Sequence, residues 1–469
     1  MTISTRRELL QRLACGFGSM ALTGLLAEEA MASPSAADPL APKSPHFHAK
    51  AKRVIFLFMH GGVSHVDTFD PKPKLAELNG KPLPIAKPQF EFGSTGNLLA
   101  SPWKFQKYGK CGTEISDLFP LIGAMADDLC VIRSMNGGNE VSHGPAGLRL
   151  NTGDGVFNRP SLGAWTLYGL GTENRDLPGF VSLSPSLYHG GAQCYGAAFL
   201  PASFQGTRVG DGTTPFGKAT LANTTPADDL DLQRLQLDLL AKSNHDHLAR
   251  TGAEARLEAR IATFELAFRM QASAPKVFDL SAESNTTQAL YGIGEEPTDE
   301  YGRQCLLARR MVEAGVRFVQ VNHSYPRNYW DAHGDLKNNH TTNAKKVDKP
   351  VAGLLMDLKA RGLLDDTLVV FGTEFGRTPA SQGGTDGRDH HPHAFSMWMA
   401  GGGIKGGMTY GTTDEFGYYV AENKVTLPDF HATILHLLGL GHTKLTFRHE
   451  GRDFRLTDVH GEVVKAILV

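Results

Sequence analysis

The sequence predicts an α/β protein, a doubly wound and mainly parallel sheet flanked by helices. Three observations carry this expectation. Near-continuous apolar runs of strand length recur along the chain, as strands covered on both faces require. Segments with helical spacing lie between several of them. Clusters of His, Asp and Glu follow the runs directly, where an open α/β sheet gathers ligands beyond its strand carboxyl ends.

The chain has 469 residues, 41% of them hydrophobic, enough for one large or two ordinary cores. Thr5-Arg6-Arg7-Glu8-Leu9-Leu10 opens a weakly apolar stretch, ACGFGSMALTGLL (14–26), followed by Ala30-Met31-Ala32. A twin arginine, a short apolar stretch and an Ala-x-Ala site describe a Tat export signal over 1–32, against the plainer reading of an amphipathic first helix. The stretch is too short to span a bilayer. A mature protein starting near Ser33 is therefore expected to be periplasmic or otherwise exported, with no membrane span. Residues 33–50 are rich in Pro, Ala and Ser and read as a linker. Residues 51–469 form the α/β domain.

Within it, strands are expected at VIFLFM (54–59), CVIRSM (130–135), FVSLS (180–184), VRFVQV (316–321), TLVVFGT (367–373) and FSMWMAG (395–401). Helices are expected at 115–128, 303–315 and 345–362. VIFLFM and TLVVFGT should be central, neighbouring, parallel strands. The segment 226–274 has helical spacing and no strand character, so it reads as a helical insertion beside the sheet.

Composition excludes some partners. A formal net charge of -2 provides no field for nucleic acid or an anionic membrane. The five cysteines form no CxxC pair, which argues against a thiolate zinc site. Nineteen histidines point elsewhere. MHGGVSHVDTFD carries His60, His65, Asp67 and Asp70 after the first strand, and VSHGPAG carries His143. NHSYPRNYWDAHGD carries His323, Asp331 and His333. TEFGRT and GRDHHPH carry Glu374, Arg377, Asp389, His390, His391 and His393.

A single His after a strand is more often a hydrogen-bonded loop residue than a ligand. Four such strand ends together predict one metal-binding crevice, and GRDHHPH is costly to bury without a cation or carboxylate partner. The candidate ligands are His60, His65, Asp67, Asp331, His333, Glu374, Asp389, His390 and His391. His60, His143, His333, Glu374, Asp389 and His391 are expected to converge, with Asp67, Asp331 and His390 orienting them. Nitrogen and oxygen donors without sulfur suit a divalent ion such as Zn, Mn, Fe or Ca. Arg377 either meets a substrate oxyanion or pairs with a nearby carboxylate.

FMHGGVSHVDTFDPKP, CLLARRMVEAGVRFVQV, WDAHGD, TEFGRTP, GRDHHPHAFSMWMAGGGIKGG and YGTTDEFG resemble, in order and variety, a Tat-exported sulfatase-like family of unknown function. That family lies within the alkaline phosphatase/sulfatase superfamily. FSMWMAGGGIKGG followed by VTLPDFHATILHLLGL is similar to the sulfatase segment in which a Gly-rich turn precedes a helix ending in Leu-Gly. HGPAGLRLNTG (143–153) resembles the sulfatase signature, Cys/Ser-x-Pro-x-Arg ending in Thr-Gly. The resemblance places His143 where sulfatases carry a Cys or Ser converted to formylglycine. It leaves two readings: Ser142 serves as nucleophile, or His143 is a ligand. Met59-His60 stand where sulfatases end the first strand with paired acids, and Glu374 stands where they carry Asp-His or Asp-Asn.

The resulting expectation is an exported metal-dependent hydrolase of sulfate or phosphate esters. Its substrate would be an anionic ester, sulfated polysaccharide included. The rival from another class is a catalytically inactive sulfatase-fold protein that binds an anionic glycan or a protein partner.

Overall fold

The computed structural model describes residues 38–85, 93–219, 229–252 and 255–469. The expected Tat segment, the start of the linker and residues 226–228 lie outside them. The main sheet contains β1 (Arg53–Met59), β2 (Leu129–Asn136), β3 (Phe180–Leu183), β4 (Thr207–Val209), β5 (Phe318–His323) and β6 (Thr367–Gly372). A separate small sheet holds β7 (Gly376–Gln382) and β8 (Arg388–His391), and the main sheet continues with β9 (Phe395–Ala400) and β10 (Met408–Tyr410). The longer helices are α1 (His143–Thr152), α2 (Leu162–Leu170), α3 (Leu230–Thr251), α4 (Ala255–Phe278), α5 (Asp299–Glu313), α6 (Leu336–Ala360) and α7 (Leu427–Leu437).

The strand order is β10-β2-β9-β6-β1-β5-β3-β4. β1 runs parallel to both β5 and β6, so the two apolar runs expected at the centre are neighbours there. β3 is parallel to β4 and β5, and β10 to β2. Only β9 opposes its neighbours on this path. The strand carboxyl ends of β1, β2, β3, β5 and β6 therefore share one edge.

Alternation along β1 explains the two-sided covering. Val54, Phe56 and Phe58 join a core with residues of α2 and α7. Ile55, Leu57 and Met59 join the opposite core with residues of α5 and α6. Each such side chain stabilises the fold by roughly 1.5–3 kcal/mol.

The insertion is a helical pair, α3 and α4, tied by Arg234 to Glu265. It is peripheral: Leu232, Leu235 and Leu239 are exposed, while Met270 and Ala274 reach the core. No helix among the described residues is long and apolar enough to cross a membrane.

Two expectations are corrected. Residues 115–128 are not one helix: a strand at Thr113–Ser116 is followed by a helical turn at Pro120–Gly123 and a 3₁₀ turn at Ala126–Asp128. The cause is Pro120, which disfavours α geometry at the residue before it; Phe119 has φ -125° and ψ 58°. The second correction matters more for the site. TEFGRTP and GRDHHPH, read as loops, build the β7–β8 hairpin, with Arg377 opposite His390 and Gly376 opposite His391. Thr95–Leu98 pairs with the other edge of β7.

Candidate metal centre

His60 follows β1, Asp331 and His333 lie on the segment after β5, and Glu374 lies just beyond β6. His143 is the first residue of α1. His390 sits within β8. Gly61 lets these segments close on one another. Its φ is +119°, and a Cβ there would come within 2.5 Å of Trp330 N and 2.6 Å of Asp331 N. That is backbone, so the close approach needs glycine.

Three imidazoles surround the Asp331 carboxylate. His333 Nε2 lies 3.0 Å and His390 Nε2 3.1 Å from Oδ1, and His143 Nε2 lies 3.4 Å from Oδ2. The other ring nitrogen of each is turned to an acceptor. His143 Nδ1 is 2.7 Å from Glu374 Oε1, His390 Nδ1 is 2.5 Å from the Val141 carbonyl, and His333 Nδ1 meets Gln382 Oε1. Nε2 faces a carboxylate as well, so each ring can donate to Asp331 without metal, while a cation held by Asp331 would take the Nε2 lone pair and leave the proton on Nδ1. Metal-binding histidines are oriented in this way. The His143 Nε2 atom is buried and has no hydrogen-bond partner among the described residues. Ligand atoms of His143, Asp331 and His390 all lie within 4.8 Å of one another.

Electrostatics agree with a cation at this point. Burial opposes charge on Asp331, yet His143, His333, His390 and Arg377 hold its carboxyl far below the ordinary range. Burial and then Arg377 push His390 down to about 4, the neutral form that a ligand needs. His143 is also buried, but the Asp331 and Glu374 carboxylates beside its two ring nitrogens raise it. Two carboxylates flanking one ring favour positive charge between them, which a second proton or a cation supplies.

His60, His143 and Glu374 form a second close group. Hydrogen bonding makes it the poorer fit. His60 Nδ1 accepts the Tyr325 N–H (3.4 Å), so its proton is on Nε2, 3.1 Å from His189 Nδ1. Burial lowers His60 to about 4. Glu374 is lowered to about 2: burial opposes its charge, and His60 and His143 outweigh it. Its Oε1 also accepts the Gly61 N–H at 2.8 Å. Glu374 and His60 thus buttress His143 rather than adding ligands beside Asp331.

The remaining expected ligands lie elsewhere. His391 neighbours His390 on a strand and so projects to the opposite face, where Nε2 lies 2.5 Å from the Tyr418 carbonyl. His65 stacks on His391, ring centroids 6.1 Å apart, and its Nε2 lies 2.8 Å from the Gly417 carbonyl. Asp67 forms a fully buried pair with Arg388, 2.7 Å from Nε. Asp389 accepts the Gly93 N–H at 2.6 Å and approaches His333 Nδ1 only to 4.0 Å. Asp70 pairs with Lys72, and His323 accepts from Trp330 Nε1. His393 is half-buried and packs on His391.

Two catalytic expectations change as well. Ser142 is the exposed N-cap of α1, outside the cluster. Arg377 is fully buried and donates to the carbonyls of Gly61, Gly62 and Arg388 and to Asp331. It is the salt bridge of the two readings, and its donors face protein rather than a substrate. The sequence reading missed His189 and Gln382. His189 carried a signal: His189-Gly190-Gly191 repeats His60-Gly61-Gly62.

No curated protein matches the sequence. A lipoteichoic acid synthase from Listeria monocytogenes is similar at 10% identity, with 89% of this chain and 78% of that one covered and a TM-score of 0.38. The PsFucS1 sulfatase from Pseudoalteromonas sp. is similar at 13% identity, 83% and 68% coverage and a TM-score of 0.36. Alkaline phosphatase from the Antarctic bacterium TAB5 is similar at 9% identity, 84% and 99% coverage and a TM-score of 0.34. Residues 51–468 match the family described as protein of unknown function (DUF1501), and the chain belongs to that family.

Proposed function

We propose that the chain is an exported, metal-dependent hydrolase of sulfate or phosphate esters, sulfated polysaccharides among them. One observation carries the reading. His143, His333 and His390 each turn Nδ1 to an acceptor and Nε2 to the Asp331 carboxylate. The close group of two imidazoles and one carboxylate, His143, His390 and Asp331, suits Zn or Mn better than Ca, which takes oxygen ligands. When bound, such an ion polarises an ester oxygen and lowers the pKa of water.

The chain's own residues do the rest. Glu374 and the Val141 carbonyl fix the tautomers of His143 and His390. Arg377 holds Asp331 in place from behind. His143 stands where sulfatases carry their nucleophile, and both of its ring nitrogens face carboxylates, so attack falls to water. The water oxygen bonds to sulfur or phosphorus, the ester bond to the alcohol oxygen breaks, and the alcohol leaves with a proton. His60 donates Nε2–H to His189, which turns the His189 Nε2–H outward as a donor for the leaving oxygen. Export by the Tat route suits this reading, because that route carries folded protein with its metal already loaded.

The test is metal analysis of the purified protein, followed by hydrolysis of p-nitrophenyl phosphate and sulfate before and after chelation. About one bound ion per chain is expected, with turnover lost on chelation and restored by Zn or Mn. Protein that purifies and reconstitutes without metal sinks the reading. Full metal with no turnover favours the second one, a non-catalytic protein that binds an anionic glycan or partner. The engagement of all three Arg377 nitrogens with protein is the observation on its side.

A further inference from the structure

Beside His60 lies a cavity of about 20 Å³ lined by Ser182, Gln320, Asn322, Tyr188 and His189. One water-sized group needs about 10–15 Å³ by this measure, so the cavity seats a single small polar group.

Its floor is made by β5. Phe318, Gln320 and Asn322 alternate onto one face of the sheet. The apolar Phe318 lies deep in the core, and the two amides lie toward the carboxyl end. Buried amides in a central strand are costly unless bonded, and the bonds here define which atoms face the cavity. Asn322 Nδ2 donates to the Leu183 carbonyl at 2.7 Å and to Ser182 Oγ at 3.1 Å. Asn151 Nδ2 donates to the Gly147 carbonyl at 2.8 Å, which leaves Asn151 Oδ1 to accept from Gln320 Nε2 at 2.9 Å. Backbone carbonyls thus fix both orientations. Asn322 Oδ1 and Gln320 Oε1 accept nothing from the described residues, although neither is a sealed, orphaned atom. Two acceptors facing a one-group cavity call for a donor.

The mouth supplies the second feature. Tyr188 is 54% exposed and packs edge-on against Tyr325, ring centroids 5.4 Å apart. Tyr325 packs in turn on Tyr329, which packs on His60. Exposed aromatic faces of this kind bind flat, apolar ring surfaces or organic cations. The segment that carries Tyr188 is held in an uncommon conformation at both ends, Ser184 at φ 47° and His189 at φ 52°. Such backbone persists where surrounding structure holds it and clusters at ligand sites.

We propose that this cavity and the Tyr188–Tyr325 pair form the subsite for the alcohol part of the substrate, which is a sugar or related cyclic polyol. One hydroxyl donates to Gln320 Oε1 and Asn322 Oδ1, and the apolar face of the ring lies on the tyrosines. A trimethylammonium group is too large for the cavity and brings no donor, which decides against an organic cation. The word substrate rests on the ester-hydrolase reading above; the polyol site itself does not.

The test is therefore a binding measurement. Ligand-observed NMR titrations of the metal-loaded chain would use methyl galactoside, methyl glucoside, myo-inositol and choline. At least one polyol should bind. Asn322→Leu, which removes an acceptor, should weaken it by roughly tenfold, and so should Tyr188→Ala at an exposed position that the fold does not need. Polyols that fail to bind the wild-type chain, or bind both variants undiminished, overturn the proposal. Choline binding that depends on Tyr188 and not on Asn322, with no polyol bound, overturns it in favour of a cation site. Turnover of p-nitrophenyl esters by the wild-type chain is read separately. Its absence counts against the hydrolase reading, and the titration still decides the polyol subsite.

Discussion

Glu374 Oε1 lies 2.7 Å from His143 Nδ1, and this one contact points the opposite ring nitrogen at Asp331. A carboxylate behind a ligand imidazole typically contributes 10–100-fold to metal affinity. Glu374→Ala should therefore weaken Zn or Mn binding by about 10–100-fold, with the circular dichroism spectrum unchanged. Glu374→Gln keeps an acceptor for Nδ1 and should recover part of the loss. Equal affinity in all three proteins, measured by competition with a chromogenic chelator, would show that Glu374 does not orient the ring.

Export is tested on the precursor. Arg6→Lys combined with Arg7→Lys should leave unprocessed protein in the cytoplasm, because the twin arginine is what the Tat receptor reads. Fractionation followed by immunoblotting checks it. Undiminished processed protein outside the inner membrane would remove the Tat reading.

His390 and His391 should respond in opposite ways to alanine. His390 faces Asp331, so His390→Ala should strip metal at little cost to the fold. His391 is buried on the other face, against Tyr418 and His65. His391→Ala should keep its metal and lose about 2–4 kcal/mol of stability, the range for emptying a packed position. Metal content with urea denaturation separates the two. Metal loss in His391→Ala would mean that the hairpin face has been misassigned.

That pair also shows what could be read from the sequence and what could not. The apolar runs were legible because strands buried on two faces leave no polar alternation to misread; β1 and β6 sit side by side as their composition implied. The chemistry of Asp331, His333 and His390 was legible as a residue set. Its geometry was not. A run such as GRDHHPH read as a loop can turn every side chain to one ion, whereas a strand presents only alternate residues, and the pairing of β8 with β7 is a long-range property. The same limit hid the Asp67–Arg388 pair, whose partners are hundreds of residues apart in the chain. His189 escaped because no apolar periodicity marks its loop. Only the repeated His-Gly-Gly, with positive φ at both glycine pairs, distinguishes it.

His431 provides a pH prediction away from the metal centre. It is buried, donates Nε2–H to the Leu150 carbonyl at 2.7 Å, and is lowered to about 4 by burial. The folded state keeps the ring neutral while the unfolded chain protonates it near its ordinary value of about 6.5. The stabilisation is therefore complete above about pH 6.5 and is lost as pH falls toward 4, up to roughly 3 kcal/mol in all. His431→Phe should cost stability above about pH 6.5, through the carbonyl left without a donor, and the deficit should shrink as pH falls toward 4, because the slope in that window flattens by up to one proton. Urea midpoints across that window check it. An unchanged slope would mean that His431 is already protonated in the fold.

Arg377 carries the last prediction, because it separates a structural salt bridge from a substrate contact. Its guanidinium is fully buried and donates to three backbone carbonyls as well as to Asp331. Removing one member of a buried pair typically costs 3–5 kcal/mol, since the other charge stays buried without compensation. Metal-free Arg377→Ala should lose about that much. A cation between His143 and His390 lies against the same carboxylate, so it should replace part of the lost compensation. Metal at about 100 times its Kd should return about 2.7 kcal/mol through preferential binding to the folded state. The wild-type chain gains from metal as well, but its Asp331 is already compensated by Arg377, so metal should raise the variant's Tm by at least as much as it raises the wild type's. A residue that bound substrate oxyanion would behave differently: Arg377→Ala would then keep wild-type stability without metal and lose only turnover. Paired thermal melts of both proteins, with chelator and with Zn, distinguish the two outcomes.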